Sequence, residues 1–279
     1  MCHKGRKVTD SFQDVLPTAY TSAYPKTLTD IRYAKEIYAV AQKSSQALPL
    51  VDRLAPELEA RHKLIDKLLD EQDVVQIVEL AAGFGARGTY MTKQGYNYVE
   101  VDLAAMIQLK KEALQAAGLA DERLAFVAGS VTDSRTFEKC KRRLVEGSVA
   151  VINEGLMRYL DFNEKRTVAK HIHALLNTHG GVWITCDVTP RAFADNQNSN
   201  LKNFNQDLTG VTARNNANWR FSSRQHVRDF MDKVGFRVEF HDFDEVINEL
   251  TSPSVIGLTD QETRSLLKDG IVAVMKVKR

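Results

Sequence analysis

Seven short apolar runs alternate with segments of helical period over the last two hundred residues, and this alternation constrains the fold more than any other feature. The runs are "VVQIVEL", "YNYVEVDL", "LAFVAGSV", "VAVINEGL", "GVWITCDV", "RVEFHDF" and "GIVAVMKVKR". Val74, Val75, Ile77 and Val78 in the first are β-branched without polar alternation, as in strands covered on both faces. Strands separated by helices specify an α/β fold with a doubly wound, mostly parallel seven-stranded sheet. Three helix starts are marked by Asp161-x-x-Glu164, Ser222-x-x-Gln225 and Thr259-x-x-Glu262, in which a capping residue precedes a side chain able to return the hydrogen bond. Gly180-Gly181 and Gly235 then end helices just before strands.

The chain divides at about residue 72. Residues 1 to about 25 show neither a helical nor an alternating period, despite the tyrosines of "VLPTAYTSAYP". Ile31, Ala34, Tyr38 and Ala41 share one helical face, and Leu58, His62, Ile65 and Leu69 another. Residues 1–72 thus read as a helical N-terminal extension or lid and 73–279 as the α/β core. Within the core, residues 191–221 are rich in asparagine and weakly periodic, as expected of an insertion covering a site.

The 38 basic and 36 acidic residues are spread along the chain, giving a net charge of +2 and no concentrated basic stripe. A small-molecule partner is therefore expected rather than nucleic acid. No stretch has the length of a membrane span, and the N-terminus lacks the apolar core of a signal peptide, so a cytoplasmic location without a membrane partner is expected. Cys2, Cys140 and Cys186 form no C-x-x-C pair, which argues against a disulfide framework and a zinc site. The residue types of "HIH" (171–173) and "HDFDE" (241–245) suit metals, but their spacing puts the side chains on different faces, so no metal is expected.

In an open parallel sheet a ligand lies at the carboxyl ends of the strands. The first four strands end in Glu79 with the turn Ala81–Gly85, in Asp102, in Gly129-Ser130-Val131 and in Asn153-Glu154-Gly155. An acid about twenty residues beyond the turn, here Asp102, can accept hydrogen bonds from ribose hydroxyls. NAD enzymes share that spacing, but their G-x-G-x-x-G turn faces a pyrophosphate. Here the matching positions are Ala81, Gly83 and Ala86, and Glu79 would repel a phosphate while suiting a cationic amino-acid end.

The segments "VELAAGFGAR", "VEVDLA" and above all "INEGLMRYLD" resemble the class I S-adenosylmethionine-dependent methyltransferases of the leucine carboxyl methyltransferase type, including the O-methyltransferases of polyketide pathways. The resemblance runs from "ARHKLID" to the last strand. It implies S-adenosylmethionine as cofactor and O-methylation of a carboxylate or hydroxyl on a small molecule. It also implies that Arg61 holds the methionine carboxylate, Ala81 and Gly83 allow close backbone approach, and Asp102, followed by Leu103, takes the ribose. Ser130 and Val131 would border the adenine, and Glu154, followed by Gly155, would lie near the methionine amino group. This sequence departs from the family at Ala81, where the first motif glycine is expected, and at Ser130, where an acid is common.

Tyr159 is the candidate catalytic residue on the acceptor side, with Tyr20, Tyr24 and Tyr33 as further candidates there. Arg158, Arg214 or Arg220 could bind an acidic acceptor. A carboxylate acceptor needs no base, whereas a phenol or alcohol would be helped by His226 or His171. Two other readings remain open, an NAD(P)-dependent oxidoreductase and a non-catalytic adenosylmethionine-binding module. A homodimer is also an expectation.

Overall fold

The computed structural model describes residues 12–42, 50–191, 193 and 219–278, with side chains described from Thr18 onward. Seven strands form one sheet: β1 Gln76–Leu80, β2 Asn97–Asp102, β3 Leu124–Ala128, β4 Val149–Asn153, β5 Gly181–Thr185, β6 Phe236–Asp242 and β7 Ile271–Val277. Each coincides with one of the seven apolar runs, β6 starting one residue before its run. Their order is β3-β2-β1-β4-β5-β7-β6. β1 to β5 are parallel, whereas β7 runs antiparallel between β5 and β6. The chain leaves β1 towards β2 and β3 and later returns to β4 on its other side, so the carboxyl ends of β1 and β4 flank a topological switch point.

Strand alternation divides the core between the two faces. Ile77, Tyr98, Leu124, Ile152 and Ile184 face one side, where they pack with residues of α1 (Phe12–Lys26), α2 (Ala34–Ala41), α3 (Ala55–Asp70), α4 (Arg87–Lys93) and α5 (Ala104–Ala116). Val78, Leu80, Val99, Val151 and Trp183 face the other side, against α6 (Ser134–Lys141), α7 (Phe162–His179) and α8 (Arg224–Asp232). The last helices are α9 (Ser252–Val255) and α10 (Asp260–Leu267).

Asp161 and Thr259 form capping boxes with Glu164 and Glu262, as their spacing predicts. At α8 the cap is Ser223, one residue later than expected, with its hydroxyl accepting from the His226 amide. Ser222 instead donates its amide to His226 Nδ1, so the Ser222–Gln225 box does not form. The strand β6 gives way after Asp242 to a 3-10 helix, where Asp242 and Glu245 form a capping box.

The larger departure from expectation is α1. The segment "FQDVLPTAYTSAYPK" contains two prolines and little amphipathic order, yet it is a fifteen-residue helix. Tertiary contacts outweigh its weak propensity. Tyr20 packs on Phe84 with ring centroids 4.9 Å apart, Tyr24 donates to Asp52 at 2.8 Å, and Lys26 pairs with Glu154 at 3.7 Å. Most of the 191–221 insertion, including Arg214, lies outside the described residues.

Candidate active site

A cavity of about 280 Å³ opens at the carboxyl ends of β1 to β4 and is covered by α1. Arg61, Glu79, Ala81, Gly83, Asp102, Leu103, Ser130, Val131, Glu154, Gly155 and Tyr159 all line it. They come from α3 and four strand ends, and the switch in strand order brings them together. Arg158 lines the same cavity, as do Thr18, Thr21, Ser22 and Lys26 of α1. Tyr20, Tyr24, Tyr33, His171, His226 and Arg220 are not in its wall.

The turn after β1 follows an unusual backbone path. Ala81 has φ +56° and Gly83 has φ +50°, both in the left-handed region. Glycine adopts that region freely, whereas alanine pays for it in a clash between Cβ and the backbone. The Gly83 amide donates to Asp102 Oδ2 at 2.8 Å, and the Leu103 amide to Asp102 Oδ1 at 2.7 Å. Burial pushes the Asp102 carboxyl up, and these two amides work against that shift. Each oxygen keeps a lone pair for a hydroxyl donor in the cavity.

Glu79 and Glu154 play different roles despite their similar positions. Glu79 Oε1 meets Arg87 Nη1 at 3.1 Å and Oε2 accepts from the Tyr98 hydroxyl at 2.8 Å, so each oxygen already has a protein partner at the cavity wall. Glu154 Oε1 is 2.6 Å from Arg87 Nη1 and its Oε2 3.7 Å from Lys26 Nζ. Burial would raise the Glu154 carboxyl, but Lys26 and then Arg87 outweigh it and hold the group well below the ordinary carboxylate range. A buried carboxylate held in its charged form at a cavity wall suits an ammonium ligand. The residues present therefore fit an amino-acid-bearing nucleoside: Glu154 for the ammonium, Arg61 for its carboxylate, Asp102 for the ribose. Arg61 is paired with Glu57, one turn earlier on α3, and its guanidinium stays charged.

Arg87, absent from the residues singled out in the sequence, is 1% exposed and lies beneath this wall. Its Nε reaches Asp66 at 2.6 Å and its Nη2 lies 3.1 Å from His62 Nδ1. One guanidinium thus joins α3 to the ends of β1 and β4.

Asp187, just beyond β5, is a second residue that spacing alone did not mark. It accepts the amides of Gly155 at 2.6 Å, Leu156 at 2.7 Å and Met157 at 3.0 Å. Asn153, fully buried, donates its amide nitrogen to the same carboxylate at 2.6 Å and accepts from Trp183 Nε1 at 2.7 Å. At the far end of this loop the buried Lys165 ammonium donates to the Leu160 carbonyl. Anion at the start and cation at the end complement the dipole of the 3-10 turn Met157–Tyr159. This fastening sets the path of Arg158 and Tyr159 along the cavity. Arg158 has no ion-pair or hydrogen-bond partner among the described residues. Ser130 turns its hydroxyl to Thr132 at 2.8 Å, and the Val131 carbonyl lies 3.3 Å from His171 Nδ1.

The model of the leucine carboxyl methyltransferase family matches residues 5–173. No curated protein matches the chain. Among solved structures, the methyltransferase domain of bacterial CtHen1 is similar in fold: 14% identity, TM-score 0.50, covering 79% of this chain and 99% of that one. An O-methyltransferase family protein from Burkholderia thailandensis aligns at 15% identity with a TM-score of 0.48, over 81% of this chain. The present chain spans 60% of that protein's length. No helix among the described residues is long and apolar enough to cross a membrane.

Proposed function

We propose, from the premise that the chain belongs to the leucine carboxyl methyltransferase family, that it is an S-adenosylmethionine-dependent O-methyltransferase acting on a carboxylate or hydroxyl of a small molecule. The observation that carries the proposal is Glu154. Its carboxylate is buried, held in the charged form by Lys26 and Arg87, and lines the same cavity as Asp102 and Arg61 at the switch point. S-adenosylmethionine, when bound, supplies an electrophilic methyl group. Glu154 and Arg61 would hold the two charged ends of its amino-acid part and Asp102 its ribose hydroxyls. Gly83, Leu103, Ser130, Val131 and Gly155 would pack around it, with Ala81 allowing the backbone near.

What remains for the chain is to place a nucleophilic oxygen in line with the methyl carbon. Positioning of this kind can supply up to roughly 7–11 kcal/mol of barrier lowering in well-aligned cases. Arg158 favours a carboxylate acceptor, because its cation faces the cavity without a counter-ion among the described residues. Tyr159 beside it would align the acceptor. The described cavity wall contains no histidine, which accords with an acceptor that arrives already ionised and needs no general base. A hydroxyl acceptor remains within the proposal, as does cover of the acceptor by residues 191–221. The lid role of residues 1–72, a cytoplasmic location and a homodimer are further parts of it.

Calorimetric titration with S-adenosylmethionine and S-adenosylhomocysteine tests the pocket. Transfer of a labelled methyl group to a panel of small carboxylic acids and phenols tests turnover. Binding of both cofactor forms, lost in Asp102→Ala, is expected. The reading is overturned if neither form binds and Asp102→Ala changes nothing. An NADH fluorescence titration separates it from a dinucleotide oxidoreductase.

A further inference from the structure

We infer that Lys110, outside the cavity wall, is a positioning residue: its buried ammonium grips the glycine turn after β1 from below and fixes the shape that the cofactor meets. The ammonium is reached through three acceptors. It donates to the Gly83 carbonyl at 3.3 Å, to the Gly85 carbonyl, and to Glu100 of β2 at 3.2 Å. A lysine has three N–H donors and no acceptor, so this set is complete.

The amides of Ala81 and Ala82 tie the start of the turn to the Val101 carbonyl at 2.8 and 3.3 Å, and the Gly85 amide closes it on Ala82 at 2.9 Å, but the Gly83 and Gly85 carbonyls are held by Lys110. Gly83 carries no side chain, and a Cβ at Gly85 would come within 2.9 Å of the Ala82 carbonyl oxygen. Asp102 takes the Gly83 amide at 2.8 Å while Lys110 takes the carbonyl of the same residue. The turn is therefore stretched between a carboxylate on the cavity side and an ammonium on the core side. Glycine-rich segments lose much backbone freedom on ordering, and a segment ordered before binding spares the ligand that cost.

Stability is a poor explanation for the pair. Lys110 is 1% exposed and Glu100 0%. Replacing both members of such a buried ion pair with apolar side chains of similar size is often neutral or stabilising. A merely structural pair is thus replaceable, whereas a grip on two carbonyls is not.

The role rests on the proposed cofactor, and the test separates the two. The double variant Glu100→Leu/Lys110→Met removes both charges, and its binding of S-adenosylhomocysteine is measured by calorimetry beside its thermal stability. Affinity is expected to fall about tenfold in a variant that remains folded. In turnover, KM for S-adenosylmethionine rises by a similar factor, while kcat at saturating cofactor and KM for the acceptor stay within about twofold. Should the double variant be unstable, Lys110→Met alone at pH 6 repeats the titration. Burial pushes the Glu100 carboxyl up, so without Lys110 it remains protonated there. Wild-type affinity in a folded variant overturns the role. No binding by the unmodified chain overturns the cofactor reading and the role with it.

Discussion

Arg87 and Glu154 lie 2.6 Å apart at the junction of α4 and the end of β4, and the same guanidinium also holds Asp66 and Glu79. Three carboxylates from three elements therefore share one buried cation. Arg87→Met leaves them without it, and breaking a buried pair from one side typically costs about 3–5 kcal/mol. A shift of that size in a urea unfolding curve is the expected outcome. Arg87→Lys should recover little, since a single ammonium lacks the planar fork that reaches several partners.

Ala81 has a φ of +56°, a left-handed conformation that glycine adopts freely and alanine does not. The left-handed conformation costs an alanine roughly 1–2 kcal/mol, partly offset in a glycine by the freedom it loses on folding. Ala81→Gly is accordingly expected to stabilise the chain by about 1 kcal/mol, read as a melting temperature about 2–4 °C higher. An unchanged or lower melting temperature would show that the turn carries no strain.

The strands were legible in the sequence because apolar, β-branched runs without alternation are what burial on both faces requires. The turn, Asp102 and Glu154 were legible as neighbours in one cavity wall because topology fixes which strand ends meet at a switch point. Arg87 was not: in "FGARG" it has the look of a solvated helix residue. Its partners stand 21 residues before it at Asp66 and 67 residues after it at Glu154, so only the folded chain unites them. Glu79 was legible as a site residue but not as one already engaged, since Tyr98 and Arg87 reach it from β2 and α4. The helix α1 escaped because its stability comes from Phe84, Asp52 and Glu154 rather than from its own residues.

Lys165 gives the stability an alkaline signature. Burial lowers its ammonium from 10.5 to about 8, with Asp187, Asp161 and Glu164 opposing the shift. Below pH 8 both folded and unfolded chains carry the proton, and the folded chain bears the full cost of burying the charge. Between about pH 8 and 10.5 the unfolded chain binds more protons, so stability rises with pH by up to roughly 3 kcal/mol from this group. Comparing urea midpoints of the unmodified chain and Lys165→Met at pH 7.5 and 9.5 isolates the effect. A difference between the two proteins that does not change with pH would contradict it.

Asp187 grips the loop after β4 by three main-chain amides, Gly155, Leu156 and Met157, and by no side chain within that span. A fastening of this kind is indifferent to lettering. The residue at 158 can change from one descendant to the next while the loop keeps its course and Glu154 its post. The fold thereby separates what must be inherited from what is open to trial. Under the proposed function, single substitutions at the rim would open the site to new acceptors and leave the cofactor end untouched.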